Sequence, residues 1–261
     1  MSNLTVAVIQ SDIAWEDPTA NYHHFDNIIR QIHDQVDLII LPEMFNVGFS
    51  PNIEHALSNQ GNVIEWMYKH AKQKHAAITG SVMVLNNENK PVNRLIFVTA
   101  EKKVYTYDKR HLFVLSDEAH ILAAGDKRVI IEYKGFNILP SICFDLRFPV
   151  FNCNNNDYDL LINIASWPAK RRDHWRTLLK ARAIENQAYV VGCNRIGTDG
   201  LGIDYTGDSL CINFDGTIVQ QIDQNTPGVL VHQFDKKALI QYRQSFQMLA
   251  SQDNFSLHIN K

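Results

Sequence analysis

Three features of this 261-residue chain predict an α/β fold. Short apolar runs at residues 4–10, 37–43 and 76–84 have the length and content of buried strands. The segments between them place apolar residues at helical spacing: Tyr22, Phe25, Ile28, Ile29 and Ile32 in one, Val63, Ile64, Met67 and Ala71 in the other. Two strand–helix–strand units in succession then imply helices layered on a sheet.

Each element has its own justification. Pro18 suits the first turn of a helix, where an N–H has no internal acceptor, and the apolar spacing carries that helix to about residue 35. His23 and His24 within it read as solvated or packed residues and not as ligands. The second strand closes on a carboxylate, Glu43. After the third strand, Asn86-Asn87-Glu88-Asn89-Lys90-Pro91 is a turn, and residues 95–98 and 104–107 are hairpin-linked strands. The second of these runs into a loop at Lys109, which continues through Ser116 and Glu118 to Gly125. Residues 129–133, turning at Lys134-Gly135, lead into a strand that ends at Cys143. Residues 158–166 form a further buried strand ending at Trp167-Pro168, followed by a helix over 172–187, a strand over 189–194 and a glycine-rich loop over 197–207. A hairpin joins residues 208–214 to 217–222 across Asp215-Gly216. A strand at 229–232 and a short helix at 238–246 precede a polar tail, residues 247–261, either loose or docked on a partner subunit. There is no repeat, low-complexity segment or linker, so residues 1–261 are expected to form one domain.

Composition excludes several function classes. Hydrophobic residues make up 45% and charged residues 20%, ordinary for a globular protein. A formal net charge of -3 suggests neither a nucleic-acid partner nor an anionic membrane. No apolar run approaches the roughly 20 residues of a spanning helix. The N-terminus lacks the basic-then-apolar pattern of a signal peptide, so a cytoplasmic location is expected. The four cysteines form no C-x-x-C pair, which argues against structural zinc and for free thiols in a reducing compartment.

A lone cysteine closing a buried strand is most often a small hydrophobe. Cys143 has company: Glu43 and Lys109 also end apolar or alternating runs and open loops. If those strands share a direction, their ends converge on one cleft. The three residue types fit acyl transfer. Glu43 would accept the thiol proton and return it to a leaving amine. Cys143 would attack the carbonyl and form a thioester. Lys109 and a backbone N–H, that of Phe144, would hold the oxyanion. Burial and the lysine pull the thiol pKa in opposite directions.

Leu41-Pro42-Glu43, Tyr107-Asp108-Lys109-Arg110-His111-Leu112-Phe113 and Ile142-Cys143-Phe144-Asp145-Leu146-Arg147-Phe148-Pro149 resemble, in order and spacing, the three signatures of the nitrilase superfamily of carbon–nitrogen hydrolases. Ser166-Trp167-Pro168 and Ala181-Arg182-Ala183-Ile184-Glu185-Asn186 match what that family carries after its cysteine. The resemblance implies a four-layer αββα sandwich, a homodimer or higher homo-oligomer paired near the cysteine, and no metal or organic cofactor. The second and third signatures are most similar to the omega-amidase branch, which hydrolyses the terminal amide of alpha-keto acid amides such as alpha-ketoglutaramate and alpha-ketosuccinamate. Phe144 stands where that branch usually has tyrosine, a change that touches specificity more than the backbone N–H.

Further site residues follow from the same comparison and from substrate charge. Glu118 falls where related enzymes carry a second glutamate; it either orients Lys109 or the amide, or is a solvated loop acid beside Asp117. Arg147 either pairs with a substrate carboxylate or ties the turn to Asp145. Trp167 walls the pocket or belongs to the core. The run Lys170-Arg171-Arg172 reads as a solvated helix face outside the site, and Cys153, Cys193 and Cys211 as structural. The rivals to an omega-amidase are another amidase, a carbamoylase or a nitrilase, then a papain-like Cys–His hydrolase, then a nitrilase-like binding module without catalysis.

Overall fold

A computed structural model of the chain describes residues 2–58, 62–253 and 255–256. In chain order the first half runs β1 (Asn3–Gln10), α1 (Pro18–Arg30), β2 (Leu38–Ile40), α2 (Glu54–Ser58), α3 (Asn62–Lys74), β3 (Ala77–Leu85), β4 (Pro91–Val98), β5 (Val104–Asp108) and α4 (Glu118–Ile121). The second half runs β6 (Ile131–Tyr133), β7 (Phe136–Ile142), α5 (Pro149–Asn152), β8 (Leu160–Ala165), α6 (Arg172–Asn186) and β9 (Tyr189–Asn194). It ends with β10 (Ile196–Thr198), β11 (Asp204–Thr206), β12 (Leu210–Ile212), β13 (Ile218–Gln221), β14 (Gly228–Asp235) and α7 (Lys236–Ser245).

Two six-stranded sheets form, in the orders β14-β1-β2-β3-β4-β5 and β13-β12-β9-β8-β7-β6. Each has a parallel centre, β1-β2-β3 in one and β7-β8-β9 in the other, flanked by antiparallel strands. The period-2 pattern of β1 explains the stacking. Leu4, Val6 and Val8 pack in one core with residues of the second sheet, such as Leu139 and Ile162. Ala7 and Ile9 pack in the other with Phe25 and Ile29 of α1 and Met67 of α3. On the second sheet α6 supplies Trp175, Leu179 and Ala183. The layers are therefore helix, sheet, sheet, helix, as expected. Gly192 lets α6 approach: a Cβ there would lie 2.4 Å from Leu179 Cδ1 and 2.8 Å from the Trp175 ring. Among the described residues no helix is long and apolar enough to cross a membrane.

Several boundaries differ from the sequence reading, each for a local reason. Helix α1 stops at Arg30 because the chain must return to the sheet, where Asp37 exchanges bonds with Thr5 through its N–H (2.7 Å) and its carboxylate (2.8 Å). Ile32 and Val36 stay in the core without helical geometry. Strand β2 is only three residues long, since Pro42 has no N–H for the ladder and Glu43 lies in the turn beyond it. The loop expected at 197–207 contains the small β10/β11 hairpin. Lys134 and Gly135, both at positive φ, make the tight turn between β6 and β7. Within the expected tail, Met248–Ser251 is a 3₁₀ turn with Leu249 buried, and residues 254 and 257–261 lie outside the described residues.

Candidate active site

The site begins at the end of β7. Ile142 is still paired with β8, but Cys143 takes φ +45° and opens a 3₁₀ turn, Cys143–Arg147. A non-glycine residue in the left-handed region costs on the order of 1–3 kcal/mol and persists only where its surroundings enforce it. Here Asp145 does much of the enforcing. Its buried carboxylate accepts from the Tyr107 hydroxyl (2.7 Å), the His111 N–H (2.9 Å), His111 Nδ1 (2.7 Å) and the Ile142 N–H (3.0 Å). From α6, the buried Arg182 donates Nε (3.1 Å) and an Nη (2.6 Å) to the Leu146 carbonyl. The conspicuous Asp145, His111 and Arg182 of the sequence thus hold the elbow that carries the thiol.

Beneath the elbow is a buried charge cluster. Lys109 Nζ lies 3.0 Å from Glu43 Oε1 and 2.8 and 3.0 Å from the two oxygens of Glu118. Asn93 donates to Glu43 Oε1 (2.8 Å) and the Ser166 N–H to Glu43 Oε2 (2.7 Å). The Phe113 N–H donates to Glu118 Oε2 (2.7 Å). Lys109 and Glu43 are fully buried, and Glu118 is 5% exposed. Strand direction explains the meeting. β5 is antiparallel to β4, which is antiparallel to β3, so β5 points the same way as β2 and both deliver their ends to one edge. Cys143 arrives from the other sheet. Asp145 is fully engaged elsewhere, which overturns the option that Arg147 ties down that residue. The solvated option for Glu118 is overturned by its burial against Lys109.

The electrostatics follow from this burial. Desolvation, reinforced by the negative Glu43, pushes the Cys143 thiol well above its ordinary range, with Lys109 opposing. Burial alone would lower Lys109, but Glu118 and Glu43 outweigh it and hold the ammonium charged. Burial raises Glu118, with Lys109 pulling the other way. The groups that act most on the thiol are Glu43, Lys109 and Glu118, a carboxylate–lysine set in place of the imidazole of a papain-like pair.

A cavity of about 580 Å³ opens above the cluster. Cys143, Glu118, Phe144, Arg147, Ser166 and Trp167 all line it. Trp167 is both wall and core: it is 3% exposed, its ring lies 5.5 Å from that of Trp175 at a tilt of 41°, and its Nε1 donates to the Arg171 carbonyl (2.8 Å). The Phe144 ring packs edge-on against Phe113 and Phe148. Arg147 lies 4.8 Å above the Trp167 ring. Lys170 and Arg171, read from sequence as a solvated face, line the same cavity, while Arg172 pairs with Asp208 (2.6 and 2.8 Å) as a face residue would. Sequence reasoning also missed Asn93. A lone asparagine between Val92 and Leu95 in a buried strand was the available signal, because buried amides need partners.

An αββα sandwich with a glutamate, a lysine and a cysteine gathered at one cavity defines a class. The carbon–nitrogen hydrolase family profile matches residues 5–244, and the chain belongs to that family. Among curated relatives, the chain is 44% identical to the omega-amidase YafV of Escherichia coli K12, over 98% of this chain and all of that protein. It is 32% identical to the 2-oxoglutaramate amidase of Bacillus subtilis, over 83% of this chain and 85% of that one. Among known structures it resembles XC1258 of Xanthomonas campestris, a CN-hydrolase superfamily protein with an arsenic adduct in its active site. That likeness has a TM-score of 0.93 and 36% identity, and covers 99% of this chain and all of that one.

Proposed function

We propose that the protein is an omega-amidase, hydrolysing the terminal amide of short alpha-keto acid amides to a dicarboxylate and ammonia. The observation that carries this reading is the buried Glu43–Lys109–Glu118 cluster beneath a thiol, in a cavity that also presents Arg147. The omega-amidase and 2-oxoglutaramate amidase relatives support the substrate class.

The chemistry runs as follows. The thiol is protonated at rest, so attack needs a base, and Glu43 takes the proton as sulfur bonds to the amide carbon. Negative charge gathers on the carbonyl oxygen, where Lys109 and the Phe144 N–H receive it. Phe144 sits in the first turn of the 3₁₀ segment, where an N–H lacks an internal acceptor. Glu43 returns the proton to nitrogen, ammonia leaves, and Cys143 holds a thioester. Water, deprotonated by Glu43, attacks the thioester carbon, the C–S bond breaks to release the acid, and Glu43 returns the proton to the Cys143 sulfur. Glu118 keeps Lys109 in place through two short contacts. Arg147 receives the substrate carboxylate against the Phe144 and Trp167 rings.

The same reading treats the chain as one domain working in the cytoplasm, where its four free thiols stay reduced. It pairs as a homodimer near the elbow, where Val150 of the following helix is 54% exposed. The deciding experiment is ammonia release from alpha-ketoglutaramate by the wild-type protein and Cys143→Ala. Release by the former alone supports the assignment. Silence from wild-type protein sinks the substrate class, and activity in the mutant sinks the thiol mechanism.

A further inference from the structure

The basic run that opens α6 is not uniform. Arg172 is neutralised by Asp208, and Arg176 also reaches that carboxylate (3.3 Å). Arg171 turns the other way, into the active-site cavity. Its backbone is pinned at both ends: its N–H donates to the Pro168 carbonyl (2.9 Å) and its carbonyl accepts from Trp167 Nε1 (2.8 Å). Its guanidinium lies 5.0 Å above the Phe113 ring. Arg147 is held likewise, over Trp167 and beside His174 Nδ1 (3.0 Å).

Among the described residues neither arginine forms an ion pair with a carboxylate. Two acids line the cavity. Glu118 is engaged by Lys109, and Asp117 is exposed at the surface. The two guanidiniums are close enough that Arg171 holds Arg147 below its ordinary pKa, second only to burial. Two half-buried cations on the wall of one cavity, without a paired carboxylate, repel, and an anion bound there relieves that repulsion.

From this juxtaposition we propose that Arg171 is the second half of a two-arginine clamp with Arg147, selecting amides whose far end bears a carboxylate. This rests on the omega-amidase reading and deepens it. The clamp offers two planar forks to one carboxylate, with Trp167 and Phe113 as flat backings that fix both forks. The clamp positions the end of the substrate that does not react. A group bound there contributes equally to ground and transition states, so its loss raises KM more than it lowers kcat.

The test compares succinamate, which carries the carboxylate, with butyramide, which does not, on wild-type protein, Arg171→Gln, Arg171→Lys and Lys170→Gln. For Arg171→Gln the ratio of kcat/KM for succinamate over butyramide falls about tenfold, carried by KM. Arg171→Lys recovers part of the loss, and Lys170→Gln, exposed on the same rim, changes the ratio less than threefold. An unchanged ratio in Arg171→Gln, an equal fall in Lys170→Gln, or a fall carried by kcat alone overturns the clamp. Wild-type protein that does not prefer succinamate defeats the omega-amidase reading itself, an outcome separable from all of these.

Discussion

Replacing Glu118 by glutamine probes the cluster with the least change of shape. In the wild-type protein, Glu118 Oε2 accepts from both Lys109 Nζ (3.0 Å) and the Phe113 N–H (2.7 Å), while Oε1 accepts from Lys109 (2.8 Å). A glutamine has one acceptor oxygen for these donors and turns an NH2 toward the other position. One buried donor then faces a donor, and Lys109 keeps a single carboxylate, Glu43, at 3.0 Å. Removing one partner of a buried pair costs about 3–5 kcal/mol, and the surviving Glu43 contact places this case near 3 kcal/mol. For a chain of this size that is a fall in Tm of about 10 °C. Lys109 also loses the partner that aims its Nζ, and removing an oxyanion donor lowers kcat by about 10²–10³-fold. The expected result is a kcat roughly 100-fold below wild type, with folding retained by circular dichroism at 25 °C. Steady-state ammonia release and a thermal melt measure both quantities. A kcat within threefold of wild type and an unshifted Tm would refute the reasoning and return Glu118 to a loop acid.

Two further outcomes follow from the same geometry. Glu43 raises the Cys143 thiol after burial does, so Glu43→Gln should shift the pH midpoint of iodoacetamide alkylation at Cys143 downward, even as amide turnover is lost. An upward or unmoved midpoint would mean that the carboxylate does not act on the thiol. In the packing, Gly192→Ala places a methyl 2.4 Å from Leu179 Cδ1 and should cost about 1–3 kcal/mol in urea unfolding. Adding Leu179→Ala should make the pair less destabilised than the sum of the single changes; strict additivity would contradict the contact.

The local chemistry of this protein was legible along the chain. Strand-length apolar runs identified β1 and β3, and helical spacing of apolar residues identified α1 and α3, because each of these helices buries one face. Glu43 and Lys109 stood out because charged groups closing apolar runs are costly to bury, and Cys143, by itself an ordinary buried thiol, stood out in their company. The family resemblance added Glu118, and the charge of the expected substrate added Arg147, as expectations.

What the chain could not show is which groups meet across the two sheets. Glu118 follows Lys109 by a loop whose path no periodicity predicts, and only the fold brings its carboxylate to Nζ. The roles of Asp145 and Arg182 in holding the elbow depend on partners from β5, the following loop and α6. In the run Lys170-Arg171-Arg172 adjacent cations share one composition but separate destinies: Asp208 captures Arg172, and the turn before α6 sends Arg171 to the cavity. Sequence determines which side chains carry charge and which segments bury a face. Tertiary structure decides which charges are paired and which are left facing a substrate, because that depends on contacts between residues far apart in the chain.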